Sequence, residues 1–145
     1  MPSGLSQRSY SPAMMAGDAP RVVVSYVMNA NADLADQCFY IAERDLEIIS
    51  ILEVHSAAGS DAGAVNLQVT KDTSTNAPGA GTDLLTNNSN AGFNLKGTAN
   101  TVQTGSLTST IASLRLTTGD RLSVDFAGTL TDAAGVVVTV VLKEL

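Results

Sequence analysis

The sequence has few of the residues that usually carry out chemistry. Its 145 residues include one histidine, one cysteine and no tryptophan. Nucleophilic catalysis of the serine or cysteine type needs a histidine base beside the nucleophile, and a zinc site needs several histidine or cysteine ligands. His55, at the end of a predicted strand, cannot build either site alone, and we expect it to be a structural or a surface residue. We therefore expect a protein that is not an enzyme, with no catalytic residue, no metal and no cofactor.

Cysteine and long apolar runs are also scarce. A single cysteine, Cys38, excludes an intrachain disulfide, so the fold needs no oxidising compartment. We expect its thiol to be buried and inert. The N-terminal residues lack the apolar core of a secretion signal, and no run is long enough for a membrane helix. We expect the protein to be made and folded in a cytoplasm, with no membrane contact.

Charge is low and its balance is acidic. Charged residues make up 15% of the chain, and 8 Lys and Arg face 14 Asp and Glu, for a net charge of −6. Nucleic-acid affinity depends on clustered cations, so direct binding to nucleic acid is not expected. A soluble protein with so few charges is predicted to hide part of its surface against other chains.

Carboxylates are the only reactive groups present in number. Six acids between positions 33 and 53 could serve a small hydrolase if two of them shared a cleft, but aromatic residues, on which sugars stack, are only 4% of the chain. We interpret the six as a solvated acidic face. Turn acids such as Asp61, Asp72 and Asp132 lack the spacing of a calcium loop. The six acids are Asp33, Asp36, Glu43, Asp45, Glu47 and Glu53.

Most of the chain has the pattern of short strands. In AVNLQVT (residues 64–70), apolar and polar residues alternate, which is typical of a half-buried strand. Similar runs, including IASLRL (residues 111–116), recur between Gly, Pro, Asn and Asp turns. About eight to ten such strands predict an all-β protein, an antiparallel β-sandwich formed by residues 21–145 as one domain.

Three predicted strands are apolar on both faces: Arg21–Met28, residues 46–55 and residues 135–143. The alternation in the second places Leu52 and Val54 with Leu46 and Ile48, opposite Ile49 and Ile51. A sandwich strand needs only one apolar face. Either loops or the N-terminal segment cover the second face, or a neighbouring subunit does, and we favour the subunit. The predicted interface residues are Val23, Val27, Ile49, Ile51, Val137 and Val141.

Residues 1–20 are rich in Ser, Pro, Gly and Ala and show no periodicity. Such a segment buries too little apolar surface to offset its ordering entropy. It is either an unstructured terminus or an extended arm that orders on a partner. In the second case Tyr10, Met14 and Met15 would be its apolar anchors on that partner.

Residues 51–143 resemble small tailed-bacteriophage capsid decoration (cement) proteins. The resemblance is carried mainly by GFNLKGTANTVQTGSLT and LTTGDRLSVDFAGTLTDAAGVVVTV. It implies a jelly-roll sandwich that forms a homotrimer on the virion surface, binds the major capsid protein and stabilises contacts between capsomers. It also implies extended terminal arms. A head-fibre or tail-tip module that binds a host-surface glycan or protein is the alternative.

Overall fold

The computed structural model describes residues 20–28 and 36–145. These residues form ten β-strands and two single-turn helices. The strands are β1 (Arg21–Met28), β2 (Gln37–Ile41), β3 (Leu46–Val54), β4 (Asn66–Asp72), β5 (Thr82–Asp83), β6 (Phe93–Asn94), β7 (Gln103–Thr104), β8 (Arg115–Leu116), β9 (Arg121–Ala127) and β10 (Val136–Glu144). The helical turns are α1 (Asn87–Asn90), which contains left-handed residues, and α2 (Ile111–Leu114).

The strands pair as a long hairpin rolled onto itself. Strands β1, β2 and β3 of the first half pair antiparallel with β10, β9 and β8 of the second half, and β4 pairs with β5 and β6. Further pairs, β3 with β10 and β4 with β9, complete two sheets. Sheet A has the order β1-β10-β3-β7, with β8 also on β3, and sheet B has the order β2-β9-β4-β5, with β6 also on β4. The predicted antiparallel sandwich of jelly-roll type is confirmed.

The core between the sheets consists mainly of aliphatic side chains, as the scarcity of aromatic residues requires. Strand β10 shows why the two faces differ: Val136, Val138, Val140 and Leu142 are buried, while the residues between them are partly exposed. Period-two alternation turns one face of the strand toward the core. Three aromatic rings connect the sheets, since the Tyr26 ring of sheet A lies 5.9 and 6.1 Å from the Phe39 and Phe126 rings of sheet B.

A β-bulge in β3 overturns part of the predicted alternation. Ile48 pairs with Leu142 and Ser50 pairs with Val141, so Ile49 is an extra residue without a partner on β10. An extra residue shifts a strand's alternation by one position. Beyond the bulge Ile51 and Glu53 point into the core and are fully buried, whereas Leu52 and Val54 point outward and are partly exposed.

Two further expectations are wrong. The run IASLRL is a strand only at Arg115–Leu116, because Ile111–Leu114 forms a helical turn. The Nζ of Lys71 donates to the carbonyl oxygens of Ala112 and Arg115 in this stretch, at 2.8 and 3.1 Å. Cys38 is exposed rather than buried. It lies on β2, the terminal strand of sheet B, where the pairing with β9 shifts between Cys38 and Tyr40.

Candidate interaction face

The solvent-facing side of sheet A, here called the outer face, is built by the register of three long strands. Facing residues on neighbouring strands form three rows across the sheet, because partners in an antiparallel pair point to the same side. The rows are Val23–Val141–Ser50, Ser25–Thr139–Leu52 and Val27–Val137–Val54. Six of these nine side chains are aliphatic, and the central row carries hydroxyl groups, with the Ser25 and Thr139 hydroxyl oxygens 3.3 Å apart.

The apolar residues of the outer face are accessible within the single chain. Val23 is 61% exposed and Val27 is 51% exposed. Val102, on the segment leading into β7, is 62% exposed and adds to the same region. A shallow depression of about 140 Å³ is lined by Leu52, Glu53, Val54, Val102, Val137 and Thr139. Contiguous exposed aliphatic groups of this kind mark interaction surfaces in soluble proteins.

One end of the outer face carries a charged cluster. The Glu47 carboxylate accepts from Arg115 Nε at 3.0 Å and lies 3.3 Å from Lys143 Nζ. The hydrogen bond from Arg115 lowers the pKa of Glu47 most, and the hydrogen bond and charge of Lys143 lower it further. A second pair, Arg44 with Glu144 at 3.0 Å, lies near the same end. The outer face thus passes from a polar end at Glu47 to an aliphatic end at Val27 and Val54.

Strand β1 is the terminal strand of sheet A. It pairs with β10 along its full length, from Arg21 with Lys143 to Met28 with Val136, without a bulge. Among the described residues no strand pairs with its other edge. A regular, valine-rich edge strand is a template for further strand pairing, which makes this side of the sandwich suited to assembly.

The predicted interface residues divide into three groups. Val23, Val27, Val137 and Val141 lie on the outer face, and Ile49 lies at the bulge beside it, partly exposed. Ile51 does not belong with them, because its side chain is 0% exposed in the core of the single chain. The arm residues Tyr10, Met14 and Met15 lie outside the described residues, as does Asp33 of the acidic group.

Sequence reasoning missed Leu52, Val54 and Val102 as members of this region. The bulge is what turns Leu52 and Val54 outward, and the sequence signals it only through Ser50, a small polar residue in a run of isoleucines. Val102 comes close through pairing of β7 with β3. No local pattern predicts that pairing, since fifty residues separate the partners Glu53 and Gln103.

The acids do not form the single solvated face that the sequence predicted. Glu53 is 1% exposed and Glu47 is bound to two cations, while Glu43 and Asp45 are exposed. On sheet B, the Asp125 pKa is raised to about 6, first by burial and then by the neighbouring carboxylates of Asp36, Asp83 and Asp72.

The turn acids considered for calcium bind protein groups. Asp72 accepts from the backbone N–H groups of Gly79 and Gly81 at 3.2 and 2.9 Å and from the Thr70 hydroxyl. Asp61 accepts from the Gly63 N–H, and Asp132 accepts from a serine hydroxyl. In the described part of the chain, no group of three or more His, Cys, Asp or Glu side chains is arranged to hold a metal ion.

Comparison with protein-family models, with curated proteins and with solved structures gives no match for this chain. Within residues 20–28 and 36–145 there is also no helix long and apolar enough to cross a membrane. Among the described residues, the outer face of sheet A is the feature that points most directly to a function, namely binding another protein surface.

Proposed function

We propose that this protein is a non-enzymatic virion structural protein: a capsid decoration (cement) protein that binds the head of a tailed bacteriophage as a homotrimer and stabilises contacts between capsomers. The single observation that carries this proposal is the aliphatic outer face of sheet A, on which Val23 and Val27 are more than half exposed. The fold fits this role, because jelly rolls build many viral capsid and lectin domains. Since a fold alone does not fix function, the proposal rests on the exposed aliphatic face.

The outer face suits a subunit contact better than a ligand site. It is broad and shallow, and the depression on it, of about 140 Å³, is small compared with the pockets of about 300–1,000 Å³ that hold small molecules. Fully burying one valine side chain contributes about 1.5 kcal/mol or more. Several valines buried together at each contact of a trimer would make a stable assembly, and the charged cluster at Glu47 would fix its orientation.

The major capsid protein is the proposed partner of the assembled trimer. In this proposal residues 1–20 form the arm, with Tyr10, Met14 and Met15 as anchors on the capsid or on a neighbouring copy. A trimer binds through three equivalent contacts at once, so individually weak contacts give a nearly permanent attachment. This is how a small protein without chemistry stabilises a shell.

The test is binding of the purified full chain to expanded phage heads that lack it, measured by co-sedimentation. We expect saturable binding in multiples of three copies, together with heads that resist heat and low salt better than undecorated ones. Deleting residues 1–20 separates the two roles of the arm. If the arm serves the capsid, the truncated protein stays trimeric but binds heads more weakly; if it joins copies, the trimer is lost. Absence of head binding by the full chain would overturn the proposal.

A head-fibre or tail-tip module is the alternative, favoured by the use of jelly rolls in lectins. A polar depression of about 480 Å³ on the sandwich surface could receive a glycan. It is lined by Ala62, Gly63, Ala64, Asn66, Asn88, Asn94 and Lys96, without an aromatic ring for a sugar to stack on. Quantifying the copies per virion distinguishes the two functions, because a cement protein is abundant and a tip module is rare.

A further inference from the structure

A buried polar cluster lies where β3 meets the segment of residues 97–103. Glu53 and His55 are 1% and 0% exposed. Their side chains touch, with His55 Nδ1 2.9 Å from Glu53 Oε1. The other ring nitrogen, Nε2, lies 2.9 Å from the carbonyl oxygen of Gly97. Gln103 Nε2 donates to Glu53 Oε2 at 2.7 Å and to the Asn94 carbonyl at 2.9 Å.

The partners fix the number of protons that the pair holds. A carbonyl oxygen only accepts, so Nε2 of His55 must carry a hydrogen. Nδ1 and Glu53 Oε1 then need one further proton between them: either the ring is an imidazolium facing a carboxylate, or a neutral ring accepts from a carboxylic acid. Without that proton two acceptors would face each other at 2.9 Å in a buried site, at a high cost in free energy.

We propose that Glu53 and His55 form a proton-sharing latch, which holds residues 97–103 on β3 and opens when the shared proton is lost above neutral pH. Besides Gly97 and Gln103, the latched segment includes Asn100, whose backbone N–H donates to the His55 carbonyl at 2.7 Å. The segment also carries the exposed Val102 and lines the depression on the outer face. Opening the latch would therefore change the shape of one end of that face. The latch itself does not depend on the proposed function.

The electrostatic surroundings of the latch are simple. Burial raises the pKa of Glu53, and the hydrogen bond and charge of His55 and the hydrogen bond from Gln103 act in the opposite direction. Within residues 20–28 and 36–145, no other charged residue acts on this carboxyl. Lys96, next to Gly97, directs its ammonium group to the carbonyl oxygens of Asp61 and Gly63. The proton balance is therefore set by the Glu53–His55 pair.

The sign of the pH effect follows from counting protons in the closed and open segment. When the segment opens, both side chains reach water; above about pH 6.5 a free imidazole is neutral and a free carboxyl is ionised. The closed latch then holds one proton more than the open one. Stability of the closed segment is fully present below about pH 6.5 and falls as pH rises, with the opening constant growing about tenfold per pH unit until the latch itself deprotonates.

Three other groups with shifted pKa values titrate outside this window. The Asp125 pKa of about 6 places its effect at lower pH. Burial raises the pKa of Tyr26 and Tyr40 from 10.0, so their effects begin at higher pH. Between about pH 6.5 and 9, Asp125, Tyr26 and Tyr40 therefore add little to the pH dependence of stability, and the latch is the group expected to dominate it.

The experiment is amide hydrogen exchange of the full chain between pH 6 and 9, expressed as the protection factor of the Asn100 N–H. In the wild type we expect protection to fall about tenfold per pH unit above about pH 6.5. Glu53→Gln replaces the shared proton with a permanent N–H donor to Nδ1 and keeps an acceptor for Gln103, so its protection should not fall as pH rises above about pH 6.5. Glu43→Gln makes the same chemical change at an exposed site, and this control should follow the wild type.

Equal pH dependence of the wild type and Glu53→Gln would overturn the latch, as would wild-type protection that does not change from pH 6 to 9. If Glu53→Gln does not fold, the ¹⁵N resonances of the His55 ring in the wild type decide. The latch requires that Asn100 protection begin to fall near pH 6.5 and stop falling at the pH where Nδ1 reports loss of the shared proton. A change at Nδ1 with no change in protection would contradict it.

Discussion

Val23 on β1 lies directly opposite Val141 on β10, and both side chains point away from the core. Two residues further along, Ser25 faces Thr139, and two further again Val27 faces Val137. A sandwich needs only its inner faces to be apolar, so these outer valines contribute little to the core of the single chain. Their presence is the physical reason to expect that sheet A is covered by another subunit.

Val23→Asp should break the proposed trimer and leave the fold intact. A carboxylate at a position that is 61% exposed in the single chain costs little there, but burial against another subunit would leave it unpaired and desolvated. Ile41→Asp is the matched control, since Ile41 is 60% exposed on β2 of the other sheet. We expect light scattering to give a monomer for Val23→Asp and a trimer for Ile41→Asp, with unchanged circular dichroism for both.

Two outcomes would contradict the assignment of the outer face. One is a Val23→Asp protein that remains trimeric. The other is equal dissociation by both variants, which would show a nonspecific effect of the added charge.

Ile51→Ala should lower the free energy of unfolding by about 2–5 kcal/mol, the range for removing a buried aliphatic side chain. The sequence placed Ile51 at the subunit interface, but it is fully buried within the chain. Val27→Ala is the comparison, since Val27 is 51% exposed on the outer face, and we expect about 0.5 kcal/mol or less in a monomeric background. Urea unfolding of both variants on a Val23→Asp background would test this. Similar small losses for both would contradict the placement of the Ile51 side chain in the core.

Asp125→Asn should stabilise the protein at neutral pH and have little effect at pH 3.5. Because the pKa of Asp125 is raised from 3.8 to about 6, its contribution to stability is present in acid and is lost as pH rises from about 3.8 through about 6. That shift corresponds to at most about 3 kcal/mol, and since Asp125 is partly exposed, solvent screening reduces it to about 1 kcal/mol. An asparagine keeps a donor for the neighbouring Asp36.

Thermal unfolding of Asp125→Asn at pH 3.5, 5 and 7 measures this effect. Asp45→Asn removes a carboxylate from an exposed position and serves as the control. The account requires a gain for Asp125→Asn that appears between pH 3.5 and 7 and is larger than any gain for Asp45→Asn. An equal gain for the two variants would attribute the effect to net charge alone.

The sequence predicts the strands more reliably than the position of their side chains. Regular alternation in β10 correctly predicts both faces of that strand, and turn residues mark most of the loops. The alternation fails in β3 because one extra residue, Ile49, reverses everything that follows. The core roles of Glu53 and His55 were not predictable either, because their partners Gly97 and Gln103 are more than forty residues distant.

Cys38 shows a related limit of sequence reasoning. An apolar neighbourhood in the sequence favoured burial, but the fold leaves this residue exposed on the terminal strand of sheet B. The order of strands decides which apolar residues are covered. That order was expected only from the resemblance to decoration proteins.

The most direct test of the central claim is the mass of the full-length protein in solution, determined by light scattering over a range of concentrations. The account predicts a stable trimer, in which the outer face of sheet A is covered by neighbouring copies. A monomer at all concentrations would contradict it, because Val23 and Val27 would then need no second subunit to cover them.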